Sequence, residues 1–140
     1  MANIDDSLFA WFTPGNQKIA QLEMLMVAHA LINRASLFRK RRGFWFIDNI
    51  ASLMCLVRGR SDSDDLEKIA RFIHVVLFAL EAMLFWEYIP SKSNWADPIS
   101  RLGARDPWHA NNGFALFQSE LMIQLLDLPF SAIVCCVQFL

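Results

Sequence analysis

The sequence predicts an α/β fold, in which strands are joined by helical crossovers. Two observations carry that expectation. Two short aromatic runs, "FWFI" at 44–47 and "LFWEYIP" at 84–90, read as strands. Two longer stretches, 17–34 and 61–83, repeat apolar residues every three or four positions, as helices do. The expected order is strand, helix, strand, helix, helix, strand, helix.

The first strand is expected over 8–13, "LFAWFT", closed by a turn at Pro14 and Gly15. A helix then runs from 17 to about 34. Ile19, Leu22, Met26 and Ala30 mark its spacing, and Leu25, Val27, Leu31 and Ile32 widen its apolar face nearly all round. Such a helix is mostly buried. "RKRRG" at 39–43 is a basic turn. "FWFI" shows no alternation, which predicts a central strand covered on both faces. Asn49 is placed to cap a helix through Val57, and Gly59 to end it. In "SDSDDLEKIARFIHVVLFALEAM", Asp64 is placed to cap the next helix, with Glu67 completing a capping box. Leu66, Ile69, Ile73, Val76, Leu77, Leu80 and Leu84 draw its stripe. After the strand ending at Pro90, "SKSN" is a loop, and Asn94 is placed to cap a short helix holding Asp97. "GARDPWHANNG" is turn-rich. Residues 114–126 allow one more helix, and "PFSAIVCCVQFL" has no assigned role.

A length of 140 residues fits one domain with a real core. Apolar residues make up 55% and charged residues 19%, so the chain is not of a disordered type. Twelve Phe and five Trp make that core heavy and aromatic. A net charge of −1 gives no global attraction to nucleic acid, so any phosphate contact must be local. Every long apolar stretch is interrupted or short: Glu23 and His29 break one, His74 and Glu81 another. None therefore meets the requirement for a membrane span. "MANIDDSLFAW" lacks the basic region of a secretory signal. Cys55, Cys135 and Cys136 form neither a CxxC pattern nor an even framework, which points to a reducing, intracellular setting.

Three carboxylates stand in awkward places. Glu23 lies inside the most apolar helix, Asp48 ends a strand, and Asp97 opens the helix after the next strand. Ligand sites in open α/β sheets gather at the carboxyl ends of strands. Carboxylates converging there repel each other unless divalent cations intervene. Mg²⁺ takes oxygen ligands, and a pair of such ions can clamp the attacking and leaving oxygens of a phosphodiester. No nucleophile elbow, P-loop or zinc-type cluster offers another chemistry. The plain reading of the same residues is a solvent-facing Glu23, a turn or cap Asp48 and a helix N-terminal Asp97.

At these residues the chain resembles the ribonuclease H-like domain of retroelement (retrotransposon) reverse transcriptases. "KIAQLEMLMVAHAL" is similar to the first helix of that family, with Glu23 at its catalytic glutamate. "FWFIDNIASLMCLVRGRS" is similar to the next strand and helix, with Asp48 at a catalytic aspartate. "WEYIPSKSNWADPISR" matches the last strand and helix, where Asp97 falls at the family aspartate. The likeness covers about residues 17–101. It implies a ribonuclease H-like mixed sheet with flanking helices, and metal-dependent hydrolysis of the RNA strand of RNA–DNA hybrids. It implies Mg²⁺ or Mn²⁺ as cofactor, Glu23, Asp48 and Asp97 as catalytic and metal-ligating residues, and a larger reverse transcriptase polyprotein.

Two departures qualify what the resemblance implies. The family's first carboxylate sits on the first of three antiparallel strands, and 22 residues before Glu23 leave room for about one strand. Neither Asp5 nor Asp6 fits that position. Ser91, Lys92 and Ser93 occupy a loop where some relatives carry a histidine. The expectation is therefore an N-terminally truncated fragment lacking the first two strands and one acid, with weak or absent activity. Residues 1–102 form the partial ribonuclease H-like domain and 103–140 a partly helical C-terminal extension.

Arg39, Lys40, Arg41 and Arg42 are candidates for phosphate contact, although a basic loop is more often only solvated. Arg58 and Arg60 suit a helix end. Trp95 offers a stacking ring or a packing residue. His29 and His74 read as satisfied core histidines, and His109 as a loop histidine. A different class of function is also open: a non-catalytic protein-interaction module that uses an exposed sheet edge.

Overall fold

The computed structural model describes residues 10–14, 18–94, 102, 105–107, 111–113, 119 and 123–140. Among the described residues, five helices and a two-stranded parallel sheet make it broadly α/β. Helix α1 spans Ile19–Asn33 and the short α2 Ala35–Phe38. Strand β1 is Arg42–Ile47, followed by α3 (Ile50–Arg58) and α4 (Asp64–Ala79). Strand β2 is Met83–Tyr88, and α5 (Phe130–Gln138) closes the chain. Short 3₁₀ turns lie at Ser91–Ser93 and Ile123–Asp127.

The β1–α3–α4–β2 path is the expected crossover. It lays β2 parallel to β1, with Phe44 beside Phe85 and Ile47 beside Tyr88. Crossovers of this kind join parallel strands because the chain must return to the starting end of the sheet. Helices α1 and α5 both pack on α4. Met24 and Leu31 from α1, Leu56 from α3 and Ile69, Ile73 and Val76 from α4 are completely buried. Ile133 and Val137 from α5 join the same core.

The ends of α3 are set locally, as the sequence predicts. Asn49 stays extended and its side-chain oxygen accepts from the amides of Ala51 (2.9 Å) and Ser52 (3.2 Å). Gly59 ends the helix at φ 69°, a left-handed conformation that costs a side-chain-bearing residue energy. Asn49→Ala is expected to cost about 1 kcal/mol of stability. Urea denaturation checks this, and a change below a few tenths would contradict it.

Four expectations need correction. Residues 10 and 11 are helical, not part of a strand over 8–13. Tertiary contacts override the β-leaning composition there: Phe12 is buried, and Thr13 donates through its amide and hydroxyl to the buried Asp65 at 2.8 and 2.9 Å. The capping box at Asp64 is absent. The N-cap position is one residue earlier, at Ser63, with no side-chain cap, and Asp64 is the first residue of the helix. Leu84 belongs to β2 rather than to the α4 stripe. Last, "FWFI" is not covered on both faces. Phe44 and Phe46 are exposed, whereas Trp45 is half-buried and Ile47 buried. An uninterrupted aromatic run conceals a real alternation, because one of its two faces is apolar without being covered.

The helix over 114–126 is, where described, a 3₁₀ turn from Ile123. The helix expected after Asn94, with Trp95 and Asp97, and the loop histidine His109 lie outside the described residues. No helix among the described residues is long and apolar enough to cross a membrane.

Candidate functional site

Glu23 projects from the middle of α1, and Asp48 follows the last residue of β1. The two line one cleft of about 290 Å³, together with Met24, Trp45, Ser52 and Asn94. The fold therefore brings together two of the three sequence-predicted acids. Asp97, the third, lies outside the described residues. Among the described residues, no three His, Cys, Asp or Glu side chains converge.

Each carboxylate is held by a neutral partner. The Asn94 amide nitrogen, just past β2, donates to Asp48 Oδ2 at 3.1 Å. This ties together the chain segments that leave the two parallel strands. Ser52 Oγ lies 3.1 Å from Glu23 Oε2 and 3.2 Å from the Ala20 carbonyl, and it has one hydrogen to share between them. Ser52 is completely buried in the first turn of α3, where the Asn49 cap fixes its backbone. Asn49 thus acts at one remove from Glu23. The amide of Asn94 grips an acid directly, a role distinct from the helix cap expected of it.

Burial pushes the Glu23 carboxyl from its ordinary 4.5 up to about 7. The Ser52 hydrogen bond opposes the rise, while the charge of Asp48 and a hydrogen bond with it add to it. These causes fit a carboxyl facing a second acid in a partly apolar cleft.

The folded state binds this proton more tightly than the unfolded chain does. Its contribution to stability is full below about pH 4.5 and is lost as the pH rises to about 7. In a chelator, the gap in urea midpoint between wild type and Glu23→Gln should therefore change between pH 5 and pH 8. Wild type should lose ground to the variant at the higher pH, and a constant gap would contradict the assignment.

The basic turn divides by role. Arg39 is half-buried and its guanidinium donates to the Val137 carbonyl at 2.9 Å, near the end of α5. Lys40 lies 3.9 Å from Glu81, with both side chains exposed. Arg41 and Arg42 are exposed. The histidines are satisfied where described: His74 Nε2 donates to the Leu56 carbonyl at 2.9 Å, and His29 Nε2 lies 2.6 Å from Ser119 Oγ. Burial lowers the His29 pKa. The three cysteines are free thiols.

Ser52 and the Asn94 amide are the site residues that sequence reasoning missed. Ser52 carried one usable signal, since it lies four residues after Asp48 in the turn that Asn49 caps. The contact of Asn94 depends on the parallel pairing of β1 with β2, which no local pattern encodes. Comparisons with protein-family models, with curated proteins and with solved structures return no match.

Proposed function

We propose that this chain is a ribonuclease H-like domain of retroelement origin, built to hydrolyse the RNA strand of an RNA–DNA hybrid with divalent cations. The observation that carries the reading is the shared cleft. Glu23 and Asp48 come from separate elements and meet beside the carboxyl ends of two parallel strands. The sequence resemblance supplies the reaction class, the hybrid substrate and a parent reverse transcriptase polyprotein.

The donor set suits Mg²⁺ or Mn²⁺. Both groups offer hard oxygen atoms, and the raised Glu23 pKa reflects in part a like-charge conflict that a cation would relieve. Glu23 and Asp48 would hold the metal, with Asp97 as the third ligand by resemblance. When bound, divalent cations supply charge that activates water and stabilises the leaving oxygen. The chain's own residues do the positioning. Asn94 orients Asp48, Ser52 orients Glu23, and the Met24 and Trp45 side chains form the apolar wall. Glu23 would have to give up its proton to hold a cation.

The first carboxylate of the family has no counterpart in the sequence, so the chain alone should cleave a hybrid slowly or not at all. An end-labelled RNA–DNA hybrid incubated with Mn²⁺ tests this. Any cut should fall in the RNA strand. Cleavage at an ordinary enzymatic rate, abolished by Asp48→Asn, would overturn the inactivity claim. Cutting of the DNA strand would contradict the reading itself.

The second reading, a non-catalytic interaction module, has its own support. Among the described residues β1 and β2 are each other's only strand partners, so each leaves one edge unpaired. It predicts partner binding that is indifferent to divalent cations.

A further inference from the structure

The outer face of the sheet is aromatic and uncovered. Side chains alternate along strands, and the parallel register sets Arg42 beside Met83, Phe44 beside Phe85 and Phe46 beside Glu87. Phe44 is 66% exposed, Phe46 58%, Met83 49% and Phe85 48%. The Phe44 and Phe85 rings lie 5.6 Å apart and 34° from coplanar, so they already form a platform. One end of the face is basic. Arg42 is exposed there, on the same face as Phe44, and forms no ion pair with a described residue. Lys40, two residues earlier, has a loose contact with Glu81. The other end carries Glu87. Phe46 also lines the acidic cleft, so the face and the cleft adjoin.

We propose that this face binds single-stranded nucleic acid, with bases stacked on Phe44, Phe46 and Phe85 and phosphates held at the Arg42 end. Three features select that ligand. Exposed rings on a sheet offer every base a stacking partner without regard to sequence. Arg42, Phe44 and Phe46 recur at about 6.6 Å along β1, close to the spacing of nucleotides in an extended strand. The exposed Arg42 lies at one end of the stack, so the phosphates are anchored there and repelled at the Glu87 end. That arrangement suits a short strand of two or three nucleotides. Size argues against a second copy as the occupant. Two six-residue strands present a footprint of roughly 20 by 10 Å, and a standard interface covers about 800 Å² per partner.

The inference stands on the sheet face and not on the carboxylate pair, so the two fail separately. Fluorescence anisotropy of labelled dT and rU octamers, in a chelator, tests it on the full chain. Phe44→Ala and Phe85→Ala should each weaken binding at least about fivefold. Phe44→Leu, which keeps an apolar side chain without the ring, should weaken it similarly. Arg42→Gln should flatten the log–log salt dependence by about 0.7. A preference for rU or for dT shows which sugar the face accepts, and either preference supports the site. Circular dichroism and light scattering accompany each variant. Absence of binding overturns the proposal. So does binding that the ring variants leave intact, which would be charge attraction alone. A wild-type dimer that Phe44→Ala disperses, with no oligonucleotide affinity, overturns it in favour of a second copy.

Discussion

Ile73→Ala is expected to lower the stability of the chain by about 2–5 kcal/mol, the range for truncating a fully buried isoleucine. Ile73 is completely buried on α4, the helix on which both α1 and α5 pack. The loss has two parts, the apolar atoms no longer removed from water and the cavity left between three helices. Neighbours on three elements cannot all shift to fill it, which places the cost away from the low end. A domain of this size holds about 5–15 kcal/mol in total, so the variant should be close to unfolding at 37 °C. Urea denaturation followed by far-UV circular dichroism checks the value. A cost below about 1 kcal/mol would mean that α4 is not the centre of the core.

Asp48→Asn is expected to remove most of the divalent-cation affinity of the cleft. The substitution keeps the shape and one carbonyl oxygen but deletes a formal charge and an anionic donor. Altering a residue that only supports a ligand costs about tenfold to a hundredfold in metal affinity, and losing the ligand itself should cost at least that. The Asn94 contact also changes character, because its amide then faces a second amide in place of a carboxylate. Calorimetric titration with Mn²⁺ measures the loss. The variant should equally remove the like-charge push on Glu23, so that carboxyl should titrate below the wild-type value of about 7. Unchanged Mn²⁺ affinity would assign the cation, if any, to another place.

The crossover was legible in the sequence because its signals are local and redundant. Asn49 and Gly59 bracket α3, and the Leu66–Ile69–Ile73–Val76 spacing marks the buried side of α4. What failed depended on partners far along the chain. The segment at 10–13 looks like a strand until Thr13 meets Asp65, and Trp11 donates to Asp127 at 3.1 Å. Neither contact has a trace in the local pattern. "FWFI" failed for a different reason. Aromatic residues on both sides erase the alternation that would show which face is covered.

The site divides in the same way. Glu23 drew attention as a charge inside an apolar helix, and Asp48 as a charge at a strand end. Their meeting in one cleft follows from how α1 lies against the β1 end of the sheet, which spacing does not reveal. The direction of the Glu23 shift follows from that meeting and from burial, so it too belongs to the folded chain. Arg39 shows the opposite case. Within a run of four basic residues it looked like its neighbours, yet it is committed to the end of α5.

Glu23 and Asp48 are proposed to act together as one cation site. Paramagnetic broadening of the amide NMR spectrum by substoichiometric Mn²⁺ tests this. Signals of Glu23, Asp48, Ser52 and Asn94 should broaden first, and Glu23→Gln should abolish the effect. First broadening around the acidic start of α4, at Asp62 to Glu67, with the cleft signals unaffected, would contradict it.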